Sequence, residues 1–361
     1  MNYKKTLFFI AKVLTISLEE KNRDEIELTL TKTDLDWDSV VKLSTAHYVF
    51  PALYCNLKRA DFLKYLPKDL VSYMDHITNL NRKRNTQIIQ QAHKLNSHLL
   101  ANNITPIFLK GTGNLLSGIY EDIAERMVGD IDLIFSKGDY LKAISVLRGF
   151  GYNKEIHQEL PSRHYPRIIR EGSIAGVEIH KDLLLDKYTN EFNYSFINKD
   201  IQVINGFRVL SYSNKLNLSI IADQINDYGF YYKRMALRNA YDVFLLSKKT
   251  NAKDAVYLLD KLNHPLNCFL AACYKVFNRV DSLNYNHTKK TASYLSSFNS
   301  QFLNKKATKK HHNRIKIKLL LKYRLNIIYR SISNKVYRVW LFKKLTSLAF
   351  YKRRLKIKNN F

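Results

Sequence analysis

Acidic residues stop at Asp281: no Asp or Glu follows it, while the 80 residues beyond carry 21 Lys or Arg. That tail has no anionic partner within its own sequence and holds most of the formal net charge of +28. Cysteine is scarce as well. Cys55, Cys268 and Cys273 show no paired metal-ligand spacing, which excludes a disulfide framework and a zinc finger and fits a reducing cytoplasm. With only 11 Gly and 6 Pro, the chain is neither collagen-like nor a low-complexity linker. No uninterrupted apolar run reaches the roughly 18 residues of a membrane-spanning helix. Met1 to Leu18 places Lys4 and Lys5 before an apolar run, but Lys12 interrupts it and no small-residue cleavage site follows, so the expected location is cytoplasmic.

What remains is a core-forming composition: 46% hydrophobic residues, 24 Tyr and 19 Phe in 361 residues. At roughly 100 to 200 residues per domain, two or three folded units are expected. From Asp34 to Leu100 apolar residues recur at helical spacing, as in Ile77, Leu80, Ile88, Ala92, Leu95 and Leu99, which predicts a helical N-terminal region over 1–102. Residues 103–212 change texture. Ile104 to Leu109 is short, β-prone and bounded by turn residues, so it reads as a strand. A helix over Thr112 to Tyr120 and a second strand over Asp130 to Phe135 follow. Ser136 and Asp139 have the form of a capping box ahead of Leu141, Ile144 and Leu147. Arg163 to Arg170 and Ser173 to Leu183 read as a strand pair turning at Glu171 and Gly172. Helical spacing returns over Lys215 to Lys248 and Lys253 to Val276, giving a helical unit over 213–281, and a basic helical tail occupies 282–361. The expected fold is α+β: a small mixed sheet with helical flanks.

Asp130 and Asp132 are separated by one residue on the second strand, so both carboxylates project from one side, while Ile131, Leu133 and Phe135 point to the other. Two carboxylates this close repel each other, and a divalent cation such as Mg²⁺ or Mn²⁺ would relieve that repulsion. A solvated strand face is the plain alternative. Ahead of them, Leu109-Lys110-Gly111-Thr112-Gly113 runs from a strand through a glycine turn into a helix, where backbone N–H groups suit phosphate oxygens; the two glycines also serve a simple turn. Glu178 sits on a later strand between Val177 and Ile179 and is a candidate third acid. His180 shares its face, to orient it or as a structural histidine. Arg126 is placed to reach a triphosphate or to pair with Glu125 or Glu121. Arg238 and Asp242, one helical turn apart, predict an intrahelical ion pair.

The order of these pieces resembles the nucleotidyltransferase superfamily. The segments Asp36 to Lys42, Phe50 to Tyr54, Phe108 to Thr112, Tyr120, Arg126 to Phe135, Gly149 to Tyr152, Val177 to His180 and Leu237 to Val243 are similar to a bacterial nucleotidyltransferase family with an LKG turn and an R-x-x-x-D-I-D-L signature. The similarity spans about Asp34 to Lys248 and leaves out the basic tail. It implies that Asp130, Asp132 and Glu178 hold a catalytic Mg²⁺ or Mn²⁺ and that Lys110, Gly111 and Thr112 hold the phosphates of an NTP. The implied reaction moves a nucleoside monophosphate from an NTP to an unidentified acceptor and releases pyrophosphate. The interval from Gly111 to Asp130 is longer than in many members of the superfamily.

Two other classes fit parts of the pattern. A nucleotide-sugar glycosyltransferase also uses Asp-x-Asp, but with a doubly wound nucleotide-binding region ahead of it, where this chain reads as helical. A catalytically inactive transferase fold would serve as a binding module, with the tail as its working part. Residues 305–361 mix cations with aliphatic and aromatic side chains, as in Ile315 to Arg324 and Tyr337 to Leu345. They suit a nucleic-acid grip, an anionic membrane surface with a membrane-peripheral location, or a helix packed on the protein itself.

Overall fold

The helical spacing of the first hundred residues resolves into five helices: α1 (Tyr3–Val13), α2 (Glu20–Lys32), α3 (Trp37–Ala46), α4 (Phe50–Arg59) and α5 (Lys68–Ala101). The computed structural model describes residues 2–32, 34–156, 160–184 and 186–346. The helical region ahead of the sheet leaves no doubly wound nucleotide-binding layer there, which removes support from the glycosyltransferase reading. In α5 the buried stripe runs Met74, Thr78, Asn81, Asn85, Ile88, Ala92, Leu95, Leu99, alternating steps of four and three. Its two asparagines interrupt the apolar pattern for a physical reason. Asn81 Nδ2 donates to the carbonyl of Ala124 (2.7 Å) and Asn85 Nδ2 to those of Ile123 (2.6 Å) and Arg126 (2.7 Å), so the helix holds the loop that leads into the central strand.

β1 (Ile107–Leu109) passes directly into α6 (Lys110–Leu116). This helix starts two residues earlier than its spacing predicts, because Lys110 takes a left-handed φ of +48° and turns the chain at once, and it ends short of Tyr120, where Gly118 takes a φ of +63°. Gly113 permits the close packing that results: a Cβ there would lie 2.6 Å from the carbonyl oxygen of Phe108. Then come β2 (Asp130–Ile134), α7 (Tyr140–Gly149), β3 (Lys154–Glu155), β4 (Ile168–Ile169), β5 (Gly176–His180), α8 (Tyr194–Ile197), β6 (Ile201–Ile204) and β7 (Phe207–Leu210). The strands form one mixed sheet in the order β3-β4-β5-β2-β1-β7-β6. β2 runs parallel to β5 and antiparallel to β1, and β1 runs parallel to β7.

The sheet is an α+β core with helical flanks, as the pattern predicts. The expected turn at Gly172 is present, with φ +73° between β4 and β5, although β4 is shorter than expected. The β6–β7 hairpin lies outside the strands read from sequence. Its turn, Asn205-Gly206 with φ of +50° and +80°, is the strongest short hairpin signal available. α9 (Tyr212–Ile221), α10 (Gly229–Tyr232), α11 (Leu237–Ser247), α12 (Ala252–Tyr257), α13 (Asn263–Val276) and α14 (Lys289–Ser300) follow. The single helical stretch expected over 215–248 is broken by a π-turn at Ala222–Asn226 and by left-handed Tyr228 and Lys233. Residues 1–156 with 163–304 form one compact unit, while α15 (Lys305–Ser333) and α16 (Lys335–Thr346) belong to a second.

Ile131 and Leu133 of β2, Phe108 of β1, and Val177 and Ile179 of β5 are completely buried. Burial of each such side chain stabilises the fold by about 1.5–3 kcal/mol. A polar network reinforces the same region. Arg126 Nε donates to Asp242 Oδ2 (3.1 Å) on α11, and the Tyr120 hydroxyl donates to Oδ1 of the same carboxylate (2.7 Å). Arg59 on α4 and the Tyr241 hydroxyl both donate to Glu125. These contacts correct two expectations. Arg126 pairs with neither Glu125 nor Glu121, and Asp242 does not serve Arg238, because a buried guanidinium needs a carboxylate brought to it and α11 supplies one.

Two outcomes follow from this packing. Arg126→Met leaves the Asp242 carboxylate buried without its cation and lowers the unfolding free energy, read by urea denaturation, by about 3–5 kcal/mol. The second concerns pH. The first N–H of α11, on Leu237, donates to His47 Nδ1 (3.1 Å), a bond that needs a neutral imidazole. Burial, assisted by Arg234, pushes the His47 pKa down to about 4. An unfolded histidine binds its proton near 6.5, so the unfolded chain takes up more protons between about 6.5 and 4 and stability falls as pH drops through that window. The loss from this group is on the order of 1–3 kcal/mol, and a His47→Gln variant should show a flatter stability profile over the same window.

Candidate active site on the face of β2 and β5

Parallel pairing sets β2 and β5 in the register Asp130↔Gly176, Asp132↔Glu178 and Ile134↔His180. Alternation along each strand then puts Asp130, Asp132, Glu178 and His180 on one face of the sheet. On the other side of β2, Leu109 pairs with Asp132, so Lys110, the next residue, is delivered to the same carboxylate. The Lys110 ammonium donates to Asp132 Oδ1 (2.5 Å) and lies 4.0 Å from Glu178 Oε2. His180 Nε2 is 2.8 Å from Asp132 Oδ1. Arg167 closes the cluster from the β4 side, its Nη2 donating to Asp130 Oδ2 (2.7 Å) and to Glu178 Oε1 (2.9 Å).

β2 lies between β5 and β1, so its acids stand on a face of the sheet and not at its edge. Exposure rises across the cluster. The side chains of His180 and Asp132 are 1% and 10% exposed, Glu178 14%, and Asp130, Lys110 and Arg167 25%, 25% and 36%. The open side is therefore lined by Asp130 and the two cations. These cations also supply what the sequence left to a metal: the repulsion among three carboxylates is offset within the chain by Lys110 and Arg167.

Environment separates the two aspartates. Burial pushes Asp130 up, and Arg167 only partly offsets it against the neighbouring Glu178 and Asp132. Burial acts the same way on Asp132, but Lys110 and His180 outweigh it and hold this carboxyl below the usual range. His180 is pushed down by burial and by Lys110, with Asp132 pulling the other way. His180 Nε2 thus stands between the Asp132 carboxylate and the Lys110 ammonium, 3.3 Å from the latter, and His180 Nδ1 is buried with no hydrogen-bond partner.

The structure brings some expected residues together and sends others elsewhere. Asp132, Glu178 and His180 each offer one ligand atom, and these atoms all lie within 4.8 Å of one another; among the described residues this is the group able to hold a metal ion. Asp130, named with Asp132 and Glu178 from the sequence, turns its carboxylate to Arg167 beside that group. Lys110 reaches the acids, whereas Gly111 and Thr112 are buried. The Thr112 hydroxyl donates to the Asp130 carbonyl (2.9 Å), and a Cβ on Gly111 would press on Val128 at 3.0 Å. Arg126 is 7% exposed and bound to Asp242, so its guanidinium is spent on the fold.

Arg167 was not singled out by its sequence. Ile168 pairs with Val177, so the antiparallel register continues to Arg167 opposite Glu178. Counting outward from the turn at Gly172 gives the same parity, and Gly176 is the second signal: a Cβ there would meet Arg167 Cδ at 2.7 Å.

Comparison with known proteins bears on this cluster. A family model described as uncharacterised nucleotidyltransferase matches residues 33–277, a span that contains every residue of the cluster and stops before α14, α15 and α16. No curated protein and no solved structure matches the chain. With two thirds of its length matched and the acids of β2 and β5 inside the match, the chain belongs to this uncharacterised nucleotidyltransferase family.

Proposed function

We propose that the protein moves a nucleoside monophosphate from an NTP to a hydroxyl group of an acceptor, releasing pyrophosphate, and that Mg²⁺ or Mn²⁺ binds at Asp132, Glu178 and His180. The observation that supports this most directly is the cross-strand pairing of Asp132 with Glu178, which brings two carboxylates and the His180 imidazole within one ion's reach. The two carboxylates suit Mg²⁺ or Mn²⁺, and the imidazole nitrogen favours the transition metal of the two. Such an ion, when bound, offsets phosphate charge and polarises the phosphoryl group.

The protein's own residues would align the reactants. Lys110 and Arg167 stand at the open side and carry the donors a triphosphate needs. Arg167 presents a planar fork suited to two phosphate oxygens, and Lys110 a point charge. Asp130 is the carboxylate best placed to take the acceptor's proton: it is the more exposed of the aspartates and its pKa is raised toward the range of a useful base. Asp132, held ionised by Lys110 and His180, suits charge neutralisation. Arg126, Gly111 and Thr112 would act through packing, by fixing the loop and turn that present Lys110 and Asp130.

The test is incubation of the full chain with each labelled NTP, Mg²⁺ or Mn²⁺, and cell extract. Label should move to RNA, protein or a small molecule, and Asp132→Asn and Glu178→Gln should each slow transfer at least about a hundredfold with circular dichroism unchanged. No transfer by the native chain, or undiminished transfer by both variants, would overturn the proposal in favour of an inactive binding module. Metal binding has its own readout. Mn²⁺ at about a hundredfold excess over its Kd should stabilise the native chain by about 2–3 kcal/mol in thermal melts, and Glu178→Gln should lose that shift.

A further inference from the structure

We infer that α15 and α16 form a docking surface for an anionic lipid bilayer. The sequence of α15 carries Ile317, Leu321, Leu325, Ile328 and Ile332 in steps of four, four, three and four, which places them on one face of the helix. Each of the five is at least 52% exposed. The spacing continues past Asn334 with Val336, Val339 and Phe342, also exposed. A contiguous aliphatic stripe of this length is rare on a soluble monomer and marks an interaction site.

The cations identify the partner. Lys306, Lys309, Lys310, Arg314, Lys316, Lys318, Lys322 and Arg324 on α15 are exposed, as are Lys335, Arg338 and Lys343 on α16, and no acidic residue follows Asp281. At about 100° per residue, Lys318 and Lys322 flank the stripe on one side and Arg324 on the other. Positive charge flanking an aliphatic face fits a surface that is anionic outside and hydrocarbon within, which is the interface of an anionic bilayer. A nucleic acid would satisfy the cations but not the stripe. Its bases stack on aromatic rings and guanidinium planes, whereas the five stripe residues of α15 are Ile and Leu, which offer no π-face; the exposed rings of Tyr329 and Phe342 suit the headgroup boundary of a bilayer as well as they suit a base. No helix among the described residues is long and apolar enough to cross a membrane, so the contact is one of lying on the surface.

The matched family region ends at residue 277, and α15 begins at Lys305. The surface is thus an addition to the transferase part of the chain, and its existence does not depend on the reaction proposed above.

Flotation of the full chain with lipid vesicles tests the inference. The native chain should float with vesicles containing phosphatidylglycerol and not with vesicles of phosphatidylcholine alone. A triple variant, Leu321→Gln, Leu325→Gln and Ile328→Gln, should lose at least about tenfold in vesicle partition. These positions are exposed, and helicity by circular dichroism should be retained. Equal flotation with both vesicle types, or undiminished flotation of the triple variant, would overturn it. So would a chain that fails to float yet binds single-stranded RNA with steep salt dependence, equally in native and variant forms.

Discussion

The register between β2 and β5 is the constraint on which the site depends. A strand has a side-chain period of two, so a slip of one residue would turn Asp130 and Asp132 into the hydrophobic layer and Ile131 and Leu133 out of it. Burial of those aliphatic side chains therefore fixes the direction of the acids. Asn81 and Asn85 act on the same point from α5, gripping the loop that feeds β2, and the Arg126–Asp242 pair grips it from α11. The Thr112 hydroxyl adds a bond to the first carbonyl of the strand. Helices distant in sequence thus converge on the backbone just ahead of two carboxylates.

Crowding carboxylates is unfavourable unless charge is returned nearby, and the chain returns it unevenly. Lys110 and His180 attend Asp132, and Arg167 is shared between Asp130 and Glu178. The outcome is two aspartates two residues apart with pKa values displaced in opposite directions. Divergence of this kind lets one fold supply both a permanent anion and a proton acceptor at the same pH. The left-handed backbone at Lys110 belongs to this balance: turning the chain directly out of β1 is what keeps the ammonium within reach of Asp132.

The chain also divides by charge. Its acidic residues end at Asp281, close to the end of the family match, and beyond that point side chains are basic, polar or apolar. A helix bearing only cations among its charged residues gains nothing from internal ion pairs, and α15 exposes much of its aliphatic surface as well. Such a helix is stabilised where an anionic apolar interface meets it.

The sequence by itself determined the local geometry. Asp130 and Asp132 on one face, the turn at Gly172, the strand before Lys110 and the helical flanks were all legible, because strand alternation, helical spacing and glycine turns act over a few residues. The order of motifs also pointed to the family that the model match supports. The Asn205-Gly206 hairpin was legible in principle. What only the tertiary structure decided is which distant side chains meet. Asp242 went to Arg126 rather than to its helical neighbour Arg238, and Arg167 and His180 joined the acids. Those partnerships depend on strand order and register, which are set by burial of the whole sheet; the sequence marks only the face on which His180 and Arg167 lie, not the aspartates they meet.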